Sequence, residues 1–210
     1  MNFNKLIVIL LLITSLNAHE REMKPMDINH SWDKLIKYWK NQNILDNTKC
    51  QGANVTEIEK LKNYYKDVPE SLLKSLALCN NLERVLGIKN ENWGSLYSIN
   101  YILETSENFS TFEQKSVGYY REVLGNINNP KTAMPKGWIP IYDWNSDYIV
   151  AIDMLSKNKG QVIVFCLEFG TVAKWTDSYE EWFELVVNEV LQYGELRVET
   201  IEKVLQMPEE

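Results

Sequence analysis

The chain has 210 residues, 45% of them hydrophobic and 24% charged, a balance that folds and excludes a disordered polymer. A formal net charge of −7 runs against nucleic-acid binding, which needs clustered Lys and Arg to neutralise phosphate. Two histidines, His19 and His30, leave little room for His-dependent catalysis, and the sequence holds no HExxH, zinc ribbon, phosphate-loop lysine signature or GxGxxG.

Residues 1–18 read MNFNKLIVILLLITSLNA, with one positive charge, Lys5, then an apolar run, then a small residue, Ala18. This is the order of a secretory signal peptide. The run is shorter than the roughly 20 apolar residues a transmembrane helix needs, so no membrane insertion is expected once the signal is removed. A buried N-terminal helix and an uncleaved anchor are the competing readings. Leu16 stands where a small residue is preferred before the cut, and no Cys is present to carry a lipid. The expectation is export to the periplasm or beyond, with residues 19–210 as a single mature domain.

Residues 28–40 place Trp32, Leu35, Ile36 and Trp39 at helical spacing, with Ser31 available as N-cap. Asn54 and Glu57 form a capping-box pair ahead of a helix over 55–65, whose inward residues are Ile58, Leu61, Tyr64 and Tyr65. Pro69 opens a second helix with Leu72, Leu73, Leu76 and Ala77 inward. Cys50 and Cys79 flank this helical pair. In an oxidising compartment they are the plausible disulfide, the alternative being three inert thiols. A short strand is predicted at 95–98, and a helix over 113–124 with Thr111 as its cap.

From Trp138 the apolar period changes to two. Residues 138–143 form a strand that Pro140 makes an edge or a bulged one. Residues 145–147 turn into a partner strand at 148–153. The apolar run 161–167 suits a central strand, with Cys166 as a small buried hydrophobe. Residues 168–170 turn into a strand at 171–175. Asp177 and Ser178 then offer an N-cap to a helix that buries Trp182, Phe183, Val186, Val190 and Leu191 and ends at Gly194. A last helical element is predicted over 196–205. Helices, then a mostly antiparallel meandering sheet, then a closing helix make an α+β domain.

Three blocks of the chain look familiar together. The first, GANVTEIEKLKNYYKDVPESLLKSL, carries Gly52, Ala53, Glu57, Ile58, Leu61, Pro69, Glu70, Leu72 and Leu76. The second, KGWIPIYDWNSDYIVAIDMLSKNKGQVIVFCLEFG, carries Pro140, Ile141, Asp153, Gly160, Val162 and Glu168. The third, DSYEEWFELV, carries Ser178, Tyr179 and Trp182. In this order they resemble the SUKH superfamily, bacterial immunity proteins related to the fungal Smi/Knr regulators of cell-wall synthesis. Two positions depart from the family pattern: Asn145 or Ser146 stands for the usual turn Gly, and Leu167 stands before the terminal acid where His is common.

The resemblance implies a non-enzymatic protein that binds and neutralises a cognate toxin. Export would direct it against a toxin acting in the periplasm or on the envelope. An acidic chain suits a basic partner. The candidate contact residues are Asp143, Trp144, Asp147 and Tyr148 in the predicted hairpin, with Asp153 and Glu168 at adjacent strand ends. Trp144 reads as either a packing lid or a contact residue, and Asp153 and Glu168 also suit turn-organising hydrogen bonds. The alternatives are a cell-envelope hydrolase using carboxylates among Asp143, Asp147, Asp153 and Glu168, and a cell-wall regulatory scaffold. No metal or organic cofactor is expected, because no Cys/His cluster has ligand spacing.

Overall fold

A computed structural model describes residues 27–42, 51–80, 94–115, 137–144, 148–155, 159–166 and 172–206. In chain order the elements are α1 (Ile28–Asn41), α2 (Val55–Tyr64), α3 (Glu70–Leu78), β1 (Gly94–Leu96) and α4 (Ile99–Lys115). There follow β2 (Trp138–Trp144), β3 (Tyr148–Asp153), β4 (Gln161–Cys166), β5 (Val172–Thr176), α5 (Tyr179–Tyr193) and α6 (Val198–Leu205). The strands form one antiparallel meander in the order β1-β2-β3-β4-β5. The chain is α+β, as expected.

The capping box is present in full: Glu57 N–H donates to Asn54 Oδ1 at 3.0 Å and Asn54 N–H to Glu57 Oε2 at 2.9 Å. Ser178 caps α5 by accepting from Glu181 N–H at 3.2 Å. Gly194 ends α5 in the left-handed region, at φ 87°, where a side chain would be strained. Helix α1 differs from its predicted start. Asp27, not Ser31, is its N-cap, accepting from Asn29 N–H at 3.0 Å, and Ser31 is buried inside the first turn.

Helix α4 is the main departure. It begins at Ile99, so Thr111 lies within a helix instead of capping one, and the remainder of the expected 113–124 segment beyond Lys115 lies outside the described residues. The helix is faint in the sequence because its inward positions change chemistry after one turn. Ile99 and Ile102 are fully buried and Leu103 packs half-buried against the core, but the following inward residue is Ser106, which hydrogen-bonds the Tyr65 hydroxyl and donates to the Ile102 carbonyl at 2.7 Å. At the helix start, Asn80 Oδ1 accepts from Ile99 N–H at 2.8 Å.

Pro140 produces a bulge between Pro140 and Tyr142 in β2, which lies inside the sheet between β1 and β3. Alternation then sorts the sheet. Ile139, Tyr142, Val150, Ile152, Val162 and Val164 join the helical core, while Ile149, Ala151, Ile163 and Phe165 are buried on the opposite face. On the helical side α1 packs against α5 and α3, and α5 packs over β4 and β5. Trp32 is central: its ring lies 4.9 Å from Phe183 and 6.2 Å from Trp39. Its indole N–H donates to Ser75 Oγ at 2.8 Å, and Ser75 Oγ hydrogen-bonds Tyr179 Oη at 2.8 Å, joining α1, α3 and α5 through one hydroxyl. Leu191 and Tyr64, expected inside, are 36% and 42% exposed, Ala77 of α3, also expected inside, is exposed, and Val187 takes the inward place on α5.

Candidate binding surface

The hairpin β2–β3 places Trp144 directly opposite Tyr148, with ring centroids 6.1 Å apart, and both half-buried rings pack against the helical core. Trp144 is therefore a lid over that core. Asp143, one residue earlier, pairs with Ser95 of β1 and Ile149 of β3. Asp153 is at the far end of β3, opposite Trp138 and Gln161, about 13 Å along the strand from Ile149. Asp143 and Asp153 do not converge, and a hydrolytic pair made of these two is ruled out by that separation. Asp153 organises its turn: Oδ1 accepts from Leu155 N–H at 2.7 Å and its carbonyl accepts from Gly160 N–H at 2.7 Å. Asp147 and Glu168 lie outside the described residues.

Around Asp143 the structure gathers tyrosines that the sequence did not single out. The Tyr97 and Tyr101 rings meet edge to face at 4.4 Å. Burial raises the phenols of Tyr97 and Tyr142, and the Asp143 carboxylate raises both further. Tyr101, 47% exposed, is raised by partial burial, then by Asp143 and Glu104. Across α4, the Tyr64 ring meets Tyr65 edge to face at 4.8 Å, and its phenol is raised by burial and by Glu107. The only trace of this arrangement in the sequence is Tyr101, Glu104 and Glu107 recurring every third residue of a helix that the apolar pattern hides.

A second polar cluster holds α6 onto α5. Arg197 donates to both Glu189 oxygens at 3.1 Å, Thr200 Oγ1 donates to Glu189 Oε2 at 3.1 Å, and the Arg197 guanidinium lies 3.7 Å from the Tyr193 ring centroid. Burial raises the Glu189 carboxyl, but the hydrogen bonds from Arg197 and Thr200 outweigh it and hold the group below its usual range. Cys166 is buried and free, and Cys79 is disulfide-bonded. Cys50 lies outside the described residues. Among the described residues no group of three or more His, Cys, Asp or Glu could hold a metal ion, and no helix is long and apolar enough to cross a membrane.

Residues 50–185 match the model of the SMI1 / KNR4 family (SUKH-1). The chain belongs to that family. No curated protein matches it. The SUKH-1 match takes in the helical pair, the whole sheet and the first half of α5, while α1 precedes it and α6 follows. Even so, α1 supplies Trp32, Leu35 and Trp39 to the same core. The SUKH-1 block around Gly52 also acquires a reason. Ala53 N–H donates to the Leu76 carbonyl and Asn80 N–H to the Gln51 carbonyl, both at 2.8 Å, drawing the two backbones so close that a Cβ on Gly52 would stand 1.9 Å from the Ala77 carbonyl oxygen.

Proposed function

We propose that this SUKH-1 protein is an exported, non-enzymatic immunity protein that binds and neutralises a cognate toxin acting in the periplasm or on the cell envelope. Family membership over residues 50–185 is the observation that carries this reading. The signal-like order of residues 1–18 supports export. So does the disulfide at Cys79, a bond that persists in oxidising compartments. A net charge of −7 favours encounter with a basic partner.

The test is a pair of strains carrying a candidate toxin, chosen by sequencing the reading frames beside this gene. One expresses the full chain and the other a chain beginning at Met followed by residue 19. Fractionation and N-terminal sequencing accompany the survival counts. The proposal expects a processed, periplasmic chain, with protection from the full chain alone. A cytoplasmic chain that keeps Met1 refutes export, and loss of protection in both strains refutes the immunity role.

A further inference from the structure

We propose that the disulfide at Cys79 is a redox latch, closed on export, that holds the entry of α2 and the start of α4 onto the end of α3. The inference rests on the export part of the reading above. The chain has three cysteines and Cys166 is free, so Cys50 is the partner by elimination. Cys79 is buried, and its N–H closes α3 by donating to the Ser75 carbonyl at 2.9 Å. The next residue, buried Asn80, is shared by two elements. Its N–H donates to the Gln51 carbonyl and its Oδ1 accepts from Ile99 N–H, each at 2.8 Å. Together with Ala53 N–H on the Leu76 carbonyl, these bonds lay residues 51–53 against the end of α3 and fix the first residue of α4. Cys50 precedes Gln51 and Cys79 precedes Asn80, so the disulfide clamps the chain beside the Gln51–Asn80 hydrogen bond.

The elements tied at this corner are anchored unequally elsewhere. Helix α3 has its own hold on the core, Ser75, which bonds both Trp32 of α1 and Tyr179 of α5. Helix α2 packs chiefly on α4, and α4 on α2 and β2. Opening of the corner therefore frees the ends of α2 and α4 while α3, α1, α5 and the sheet keep their packing, a local opening short of global unfolding. The cross-link disfavours it by withholding the chain entropy that the open corner would regain. In a reducing compartment the two sulfurs are thiols. After export, an oxidant bearing a reactive disulfide takes them in two exchanges. One Cys thiolate attacks the oxidant's S–S bond, forming a mixed disulfide and releasing the first oxidant thiol. The other Cys thiolate attacks the mixed disulfide, forming the bond to Cys79 and releasing the second. Two electrons and two protons leave the chain, and the oxidant ends as a dithiol.

The experiment compares amide hydrogen exchange in the purified oxidised protein and in the same protein reduced under native conditions with dithiothreitol, the free-thiol count rising from one to three. Before reduction, the amides of Ala53, Asn80 and Ile99 should exchange about as slowly as those of Val150 and Val164 in the sheet. Afterwards they should exchange at least about tenfold faster than the sheet amides. The double variant Cys50→Ser/Cys79→Ser, which needs no access for a reductant, should behave as the reduced chain, and Cys166→Ala as the oxidised one. Asn80→Ala, with the disulfide intact, should release the Ile99 amide and leave that of Ala53 protected. Acceleration by one common factor at all of these amides overturns the proposal, because the bond would then stabilise the whole fold and no corner in particular. So does unchanged exchange in the reduced chain, or an Ile99 amide that stays protected in Asn80→Ala. In cells, alkylation of the full chain should find one free thiol, and of a chain lacking residues 2–18 three. Three on the full chain overturn the export reading instead, and the exchange map decides the latch independently of it.

Discussion

Trp144 and Tyr148 sit opposite each other at the turn end of the β2–β3 hairpin, their rings 6.1 Å apart, and both lean on the helical core. The hairpin's most conspicuous aromatic thus packs the sheet onto the helical core. Trp144→Ala should lower unfolding free energy by about 2 kcal/mol, less than a fully buried Trp would cost because one side of the ring faces water. Urea denaturation followed by Trp fluorescence measures it. A folded variant of unchanged midpoint that has lost partner binding would return Trp144 to the contact surface.

Gly52 lies where the strand-like entry to α2 meets the exit of α3, with the Ala77 carbonyl oxygen at 1.9 Å from the position of an added Cβ. Because backbone, not a yielding side chain, fills that space, Gly52→Val should destabilise by about 2–3 kcal/mol. Thermal unfolding beside an exposed control, Ala77→Val on α3, checks it. Equal effects of the two substitutions would remove the close-approach explanation.

Glu189 anchors α6 to α5 through Arg197 and Thr200, and its carboxyl is held below the ordinary carboxylate range. A carboxyl with a lowered folded-state pKa contributes stability that is fully present above the unfolded value of about 4.3 and is lost as pH falls through the folded value. Glu189→Gln should therefore lower the urea midpoint at pH 7 and flatten the decline in stability below about pH 4. Parallel acid slopes for wild type and variant would show that Glu189 does not drive that decline.

Much of this fold is legible in the sequence, for identifiable reasons. The Asn54–Glu57 box, the Ser178 cap and the Gly194 stop are local chemistry, readable within four residues. The strands from Trp138 onward are readable because the apolar period is two, and Pro140 signals the bulge, though not the strand's internal place in the sheet. Helix α4 is hard to read because Ser106 occupies an inward position to satisfy Tyr65, a contact between residues far apart in the chain. Missing α4 also conceals the Tyr101–Glu104–Glu107 stripe. The six predicted contact residues cluster in sequence, yet Asp143 of β2 pairs with Ile149 near one end of β3 while Asp153 is the last residue at its other end, a separation that only strand register reveals.

Cys79 is disulfide-bonded while Cys166 is a buried free thiol. The expected partner is Cys50, the remaining cysteine of the chain, which would close a loop of roughly 30 residues and stabilise the fold by about 3–4 kcal/mol in the chain-entropy account. Non-reducing peptide mapping should yield one Cys50–Cys79 linked peptide and one unmodified Cys166 peptide. A linked peptide containing Cys166 would contradict the assignment.

The central claim is that this chain acts by stoichiometric binding to a toxin. Its most direct test is a titration of the purified mature protein against the candidate toxin that it protects cells from, reading residual toxin activity together with the toxin's intact mass. The account predicts that activity falls to baseline at about one equivalent, with the mass unchanged and the two proteins co-eluting. Full toxin activity in the presence of excess protein, or inactivation at a small fraction of an equivalent with an altered toxin mass, would contradict it.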